Sequence, residues 1–251
     1  IKLISYLNRL QRQHKYMLVK EQLLIGLEMD RAKLKINESQ HLKPQNGLPE
    51  SYHIFEKDHV DAILAAWYAK RPLLVKGDPG LGKSQLAHAV AQCQGWNLLV
   101  HVVHSRTEPD DLLYKVDHVA RLAKAQLVQH KVEDAVKLEE KRFVVPGPLW
   151  WAYSPSTAKD FFTPDYSDYK TSFGNEVDVK KRSVLLIDEI DKADSELPNS
   201  LLEVLNNNSF HAYAHDEPIK TNADTRPFAV ITSNDERALP PAFLRRCVVL
   251  N

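Results

Sequence analysis

The chain is short of several things, and each shortage excludes something. Its 33 Lys+Arg cancel 33 Asp+Glu, so no net charge draws the whole molecule to nucleic acid or acidic lipid, and only a local basic patch stays open. There are two cysteines, Cys93 and Cys247, each in an apolar stretch. They read as two reduced core thiols of a cytoplasmic protein. No apolar run approaches the ~18 residues that a membrane span needs, and no signal-peptide pattern follows the first residue. That residue is Ile rather than Met, so further residues are expected before it. There is no internal repeat and no low-complexity tract. What is present, 43% hydrophobic and 26% charged over 251 residues, is the composition of a globular protein with one substantial core.

Residues 1–31 space Leu3, Leu7, Leu10, Met17, Leu18, Leu24 and Ile25 among charged positions, which suits one or two amphipathic helices. Residues 36–51 are polar with Pro and Gly and read as a linker. The expected division is therefore a helical extension and linker over 1–50 and an α/β core over 51–251. Asp58 reads as the N-cap of a helix through Ala69. Strands are expected at Leu73–Lys76, Leu98–Val103, Val184–Ile187, Phe228–Thr232 and Val248–Leu250. Helices are expected at Lys83 to about Cys93, with Gly95 as its stop, over 111–142 with a break near His130, and at Leu197–Leu205. Phe143–Val145 reads as a short strand, and Gly147-Pro148 as a turn before the aromatic segment Leu149–Tyr153. Alternating strands and helices imply a parallel sheet covered on both faces, a three-layer α/β/α fold.

One stretch carries chemistry. Gly77, Asp78, Pro79, Gly80, Leu81, Gly82, Lys83 and Ser84, followed by Gln85, spell G-x-x-x-x-G-K-S after an apolar strand and at the start of a helix. Glycines let backbone N–H groups converge on phosphates, and the helix N-terminus adds positive potential. Lys83 offers a cation to the β- and γ-phosphates, and Ser84 a hydroxyl to Mg²⁺. About 100 residues later Ser183–Ile187, an apolar strand, ends in the carboxylates Asp188 and Glu189. Neighbours on a strand point to opposite sides, so the two can divide the work. Asp188 can meet Mg²⁺, and Glu189 can orient or deprotonate a water that attacks the γ-phosphate. The guanine signature N-K-x-D is missing, which favours ATP.

These residues resemble a family. The P-loop, Asp188-Glu189-Ile190-Asp191, the strand ending Ile231-Thr232-Ser233-Asn234, and Leu239–Arg246 stand in the order of AAA+ ATPases. Within them, Ser105–Leu113 and Phe143–Leu149 are similar to segments of the MoxR-like branch. The resemblance covers roughly 52–251. It implies that Asn234 is the first sensor, which helps place the lytic water. It implies that Arg246, or the adjacent Arg245, is an arginine finger reaching a neighbouring subunit. It makes about 111–147 an insert in helix 2 of the fold that faces substrate or partner. The family continues into a helical lid, and this chain stops at Asn251 before one. The aromatics of 154–182, Phe161, Phe162, Tyr166, Tyr169 and Phe173, are expected to pin that loop to the domain.

The expected function is ATP hydrolysis to ADP and phosphate in a homo-oligomeric, hexameric ring that remodels a partner protein in a chaperone-like way. Two other classes stay open. A nucleic-acid motor would need basic, aromatic-lined loops facing a pore, and the neutral charge speaks against it. A slow ATP-dependent signalling switch would not need Glu189, Asn234 and Arg246.

Overall fold

The computed structural model describes residues 29–129, 140–161, 177–221 and 225–251. The expected helices before residue 29, the break near His130, and Phe162, Tyr166, Tyr169 and Phe173 lie outside the described residues.

Five strands carry the fold: β3 (Leu73–Lys76), β4 (Asn97–Val102), β7 (Ser183–Asp188), β10 (Phe228–Ser233) and β11 (Val248–Leu250). They form one parallel sheet in the order β11-β3-β10-β7-β4. All five expected strands are present, β3 and β11 unchanged and the other three to within one residue at each end. Their sequences are almost continuously apolar because both faces are covered. Alternation then sorts the side chains. Leu73, Val75, Val184, Leu186 and Val230 face one core, and Leu74, Leu185, Ile187 and Ile231 face the other.

The first core is closed by α1 (Lys57–Ala69) and α2 (Lys83–Gln94), through Val60, Ile63, Leu86 and Val90. Gly95, in the left-handed region at φ 73°, ends α2 as expected. The cap of α1 is Glu56, in a capping box with His59, and Asp58 lies inside the first turn. The Asp58 assignment is therefore corrected: the carboxylate two residues earlier already receives the orphan amide.

The linker expected over 36–51 is instead structured. β1 (Ser39–Leu42) and β2 (Ser51–Ile54) pair antiparallel, and the expected division at 50/51 falls between them. Leu42 and Phe55 are fully buried in the first core. Side chains of α2 tie the segment down: Gln92 accepts from Lys43 N–H at 2.8 Å, and Gln94 makes two 2.8 Å bonds with the backbone of Asp30. A segment that is polar by composition is ordered by two apolar anchors and by amides.

The expected helix 111–142 is broken. α3 (Pro109–Leu113) gives way to β5 (Tyr114–Val116), and α4 (His118–Gln129) follows, started by Asp117 accepting from Ala120 N–H at 2.8 Å. β5 pairs antiparallel with β6 (Val144–Pro146), and that pairing outweighs the helical propensity of the stretch. Gly147, just beyond β6, sits so close to α3 that a Cβ there would lie 2.7 Å from the Leu112 carbonyl oxygen. The second core holds α5 (Pro148–Tyr153), α6 (Pro155–Phe161), α7 (Glu196–Asn207) and α8 (Pro241–Leu244), and takes in Phe210 and Ile219 of the antiparallel pair β8 (Ser209–Phe210) and β9 (Ile219–Lys220). Trp150 and Trp151 are completely buried, and Trp150 donates to Thr157 Oγ1 at 2.9 Å. Phe161 is buried against Trp150, their rings 4.9 Å apart.

Candidate functional site

The carboxyl ends of β3, β7 and β10 finish level with one another, because β10 pairs Ser233 with Lys76 on one side and Ile231 with Ile187 on the other. Whatever follows those strands must gather at one edge of the sheet, where ligands of open α/β sheets bind. Following β3, the chain turns through Gly77 at φ 146°, and Gly82 at φ 78° caps α2. The first bond of α2 runs from Leu86 N–H to the Gly82 carbonyl at 3.1 Å. The amides of Lys83, Ser84 and Gln85 are thus left without an intrahelical acceptor, facing a cleft.

That cleft is lined by Pro79, Gly80, Gly82, Lys83, Ser84 and Gln85 from the loop side, and by Asp188, Glu189, Thr232 and Asn234 from the strand side. Residues 104 apart in sequence touch across it: Ser84 Oγ donates to Asp188 Oδ1 at 2.7 Å. Lys83 Nζ folds back on the loop and donates to the carbonyls of Gly77 and Asp78 at 2.8 and 2.7 Å. A hydroxyl and a carboxylate in contact are the hard oxygen donors that Mg²⁺ takes, so the pair fits that ion.

Glu189 departs from the reading as a strand neighbour. β7 ends at Asp188, and Glu189 adopts φ 61°, ψ 48°. The two carboxylates diverge because of this left-handed turn rather than by pleat alternation. A non-glycine residue there is strained and is held by its surroundings. The Glu189 N–H is bonded to Thr232 Oγ1 at 2.9 Å, and that hydroxyl donates to Asp188 Oδ1 at 2.6 Å. On the side chain, Oε1 accepts from Asn234 Nδ2 at 3.2 Å and Oε2 contacts Lys192 Nζ at 2.6 Å. Asp191, 1% exposed, accepts from Asn234 N–H at 3.1 Å and from Glu236 N–H at 2.9 Å. It ties the turn after β7 to the turn after β10 and so sets where Asn234 stands.

The structure therefore brings together Pro79, Gly80, Gly82, Lys83, Ser84, Gln85, Asp188, Glu189 and Asn234. Gly77, Asp78 and Leu81 lie in the same loop without lining the cleft. Arg245 and Arg246 are exposed beyond α8 and do not line the cleft of their own chain. The sequence assigned no role to Thr232 or Lys192, and Asp191 stood there only as the next carboxylate of the Asp188–Asp191 stretch. Thr232 had a signal, a lone hydroxyl near the end of an apolar strand. Lys192 had none beyond its nearness to Glu189.

A family model for the AAA domain, dynein-related subfamily, matches residues 72–247. One solved structure with likeness to this chain comes from Cytophaga hutchinsonii ATCC 33406 and is named for an inferred ATPase activity. The two are 15% identical with a TM-score of 0.49, over 98% of this chain and 55% of the other. This chain thus spans about half of that protein's length. No curated protein matches it.

Proposed function

This chain belongs to the AAA domain family, dynein-related subfamily, and from that premise we propose that it binds ATP in the cleft between residues 77–85 and Asp188–Glu189 and hydrolyses it to ADP and phosphate. The observation that carries this reading is the 2.7 Å contact of Ser84 with Asp188, which joins a phosphate-binding loop to a strand-end carboxylate.

Each group has a task that its position supports. The free amides at the start of α2 receive phosphate oxygens. Lys83 leaves the Gly77 and Asp78 carbonyls, which only stand in for phosphate, and binds the β- and γ-phosphates. Ser84 and Asp188 would hold Mg²⁺, which supplies charge neutralisation on the phosphates when bound. Glu189 orients a water and takes its proton, and Asn234, already bonded to Glu189, helps fix that water. The lack of an N-K-x-D element supports adenine as the base.

The finer reading is a ring. Arg246, or Arg245 beside it, is exposed and away from its own cleft, as a residue that completes a neighbour's site would be. The packing of 105–113 against 143–149, through Gly147 N–H to the Leu113 carbonyl at 2.8 Å, supports a MoxR-like arrangement. There the segment of about 111–147 faces a partner protein that the ring remodels. The core is taken to begin by residue 29 rather than at 51, because Met29, Leu34 and Leu42 are buried in it. A motor on nucleic acid is less favoured by the balanced charge.

Glu189→Gln tests the hydrolysis. It should keep ATP binding and lose ~10²–10⁴-fold in kcat, the usual worth of general-base help. A fall of less than about threefold would remove Glu189 from that role. Mixing Arg246→Ala with Lys83→Ala, each nearly inactive alone, should restore activity if the arginine acts on a neighbour. No rescue in rings shown to be mixed would reject the trans arrangement, and a defect confined to Arg245→Ala would move the role to that residue.

A further inference from the structure

Lys192 lies outside every motif considered above, yet it makes a tight contact with the proposed base. Ile190–Lys192 forms a single 3₁₀ turn that begins directly after Glu189. Side chains three apart eclipse in such a turn. The left-handed conformation of Glu189 then sets its carboxylate and the Lys192 ammonium on the same side, and Lys192 Nζ lies 2.6 Å from Glu189 Oε2. The other carboxylate oxygen is occupied by Asn234. The carboxylate is therefore gripped on both oxygens, by one residue from the turn after β7 and one from the turn after β10.

We propose that Lys192 is a positioning residue for the hydrolytic step: with Asn234 on the other oxygen, it fixes the rotamer of the Glu189 carboxylate at the cleft. The inference deepens the reading of Glu189 as base and rests on it. Exposure supports the assignment. Lys192 and Glu189 side chains are 38% and 28% exposed, so the pair is reachable from the cleft and is not a core staple. The surroundings explain why Lys192 is itself held. Asp191 and Glu236 lie near its ammonium, and the bond to Glu189 raises its pKa above the ordinary lysine value. The other charged groups of the cleft facing Glu189 are Asp188 and Lys83. Asp188 shares its Oδ1 with Ser84 and Thr232, and Lys83 is turned onto the loop carbonyls. Asp191 is committed to backbone amides. Lys192 is thus the cation in direct contact with Glu189.

An isolated surface ion pair of this exposure contributes little to stability, so Lys192→Met should leave the fold and ATP binding close to wild type. Its effect should appear in turnover. The kcat should fall roughly 3–30-fold as Glu189 gains rotamers, with KM for ATP little changed. Lys192→Arg keeps the charge and the reach and should restore most of kcat. The experiment measures kcat and KM for ATP hydrolysis for the wild type, Lys192→Met, Lys192→Arg and Glu189→Gln. If Glu189→Gln is slow while Lys192→Met keeps the wild-type kcat, Lys192 has no positioning role and the base assignment stands. If Lys192→Arg is as impaired as Lys192→Met, charge is not what matters and the inference fails. If Glu189→Gln turns over like the wild type, both the base and its positioning residue are overturned.

Discussion

Replacing Thr232 by valine removes one hydroxyl and keeps nearly the same volume at a position 1% exposed. That hydroxyl makes two bonds, donating to Asp188 Oδ1 at 2.6 Å and accepting from Glu189 N–H at 2.9 Å. The first has a charged acceptor and is worth ~1.5–3 kcal/mol, and losing the second orphans an amide at a further ~1–3 kcal/mol. The two losses overlap, because Asp188 keeps Ser84 and the turn can relax. A net cost of ~2–4 kcal/mol follows, and at ~2–4 °C per kcal/mol for a chain of this size the melting temperature should drop by about 5–15 °C. Function should suffer more than stability. With the hydroxyl gone, the Glu189 backbone amide loses its tie to β10 and only the Asn234 and Asp191 contacts hold the turn from that side, so ATP turnover should fall roughly tenfold or more at temperatures where the variant is folded. Thr232→Ser, which keeps the hydroxyl, should recover most of both losses. The assay is thermal unfolding by circular dichroism paired with steady-state hydrolysis. Thr232→Val with unchanged melting and unchanged turnover would refute the claim that this hydroxyl joins the two carboxylate positions.

Two further outcomes follow from packing and burial. Gly147→Ala places a Cβ 2.7 Å from the Leu112 carbonyl oxygen and 2.8 Å from the Leu113 carbonyl carbon, backbone that cannot step aside. It should cost ~1–3 kcal/mol by overpacking, and an unchanged melting temperature would contradict the contact. Acid should also destabilise the fold. Burial pushes both His53 and His101 down to about 4 from the ordinary 6.5, so the folded chain holds them neutral. Their contribution is intact above about pH 6.5 and is lost as pH falls through about 4, because the unfolded chain takes up protons first. At ~1.4 kcal/mol per pKa unit, each is worth at most about 3 kcal/mol. Melting temperature measured from pH 7 to 4 should fall less steeply in His101→Gln than in the wild type, and equal slopes would show that the imidazole is not the titrating group.

What was legible in the sequence was what burial writes most strongly. The strands at 73–76, 184–187, 228–232 and 248–250 are apolar on both faces, and no other local structure accounts for such short runs between helical patterns. The phosphate loop was legible because glycine spacing, a lysine and a hydroxyl coincide with a strand-to-helix junction. The β1–β2 hairpin was not, since Ser39-Gln40-His41 and Ser51-Tyr52-His53 carry little hydrophobic alternation and their order depends on side chains of α2, which lie some 50 residues away. β5 was hidden in a stretch of helix-forming composition and exists only through its partner β6. In the cleft, residue types could be read but directions could not. That Lys83 turns onto its own loop, that Glu189 leaves the strand in a left-handed turn, and that Thr232 and Lys192 close the gaps around it are consequences of tertiary contact.

The most direct measurement is a double-mutant cycle between the two halves of the cleft, read as equilibrium binding of a non-hydrolysable ATP analogue with Mg²⁺. Ser84→Ala, Asp188→Ala and the double variant are compared with the wild type, and the same cycle is run with the metal chelated. Ser84 Oγ and Asp188 Oδ1 lie 2.7 Å apart, so if they hold one ion the two substitutions should fail to add by ~0.5–3 kcal/mol with Mg²⁺ present and by less without it. Losses that add in full, with and without the metal, would contradict a shared nucleotide and metal site.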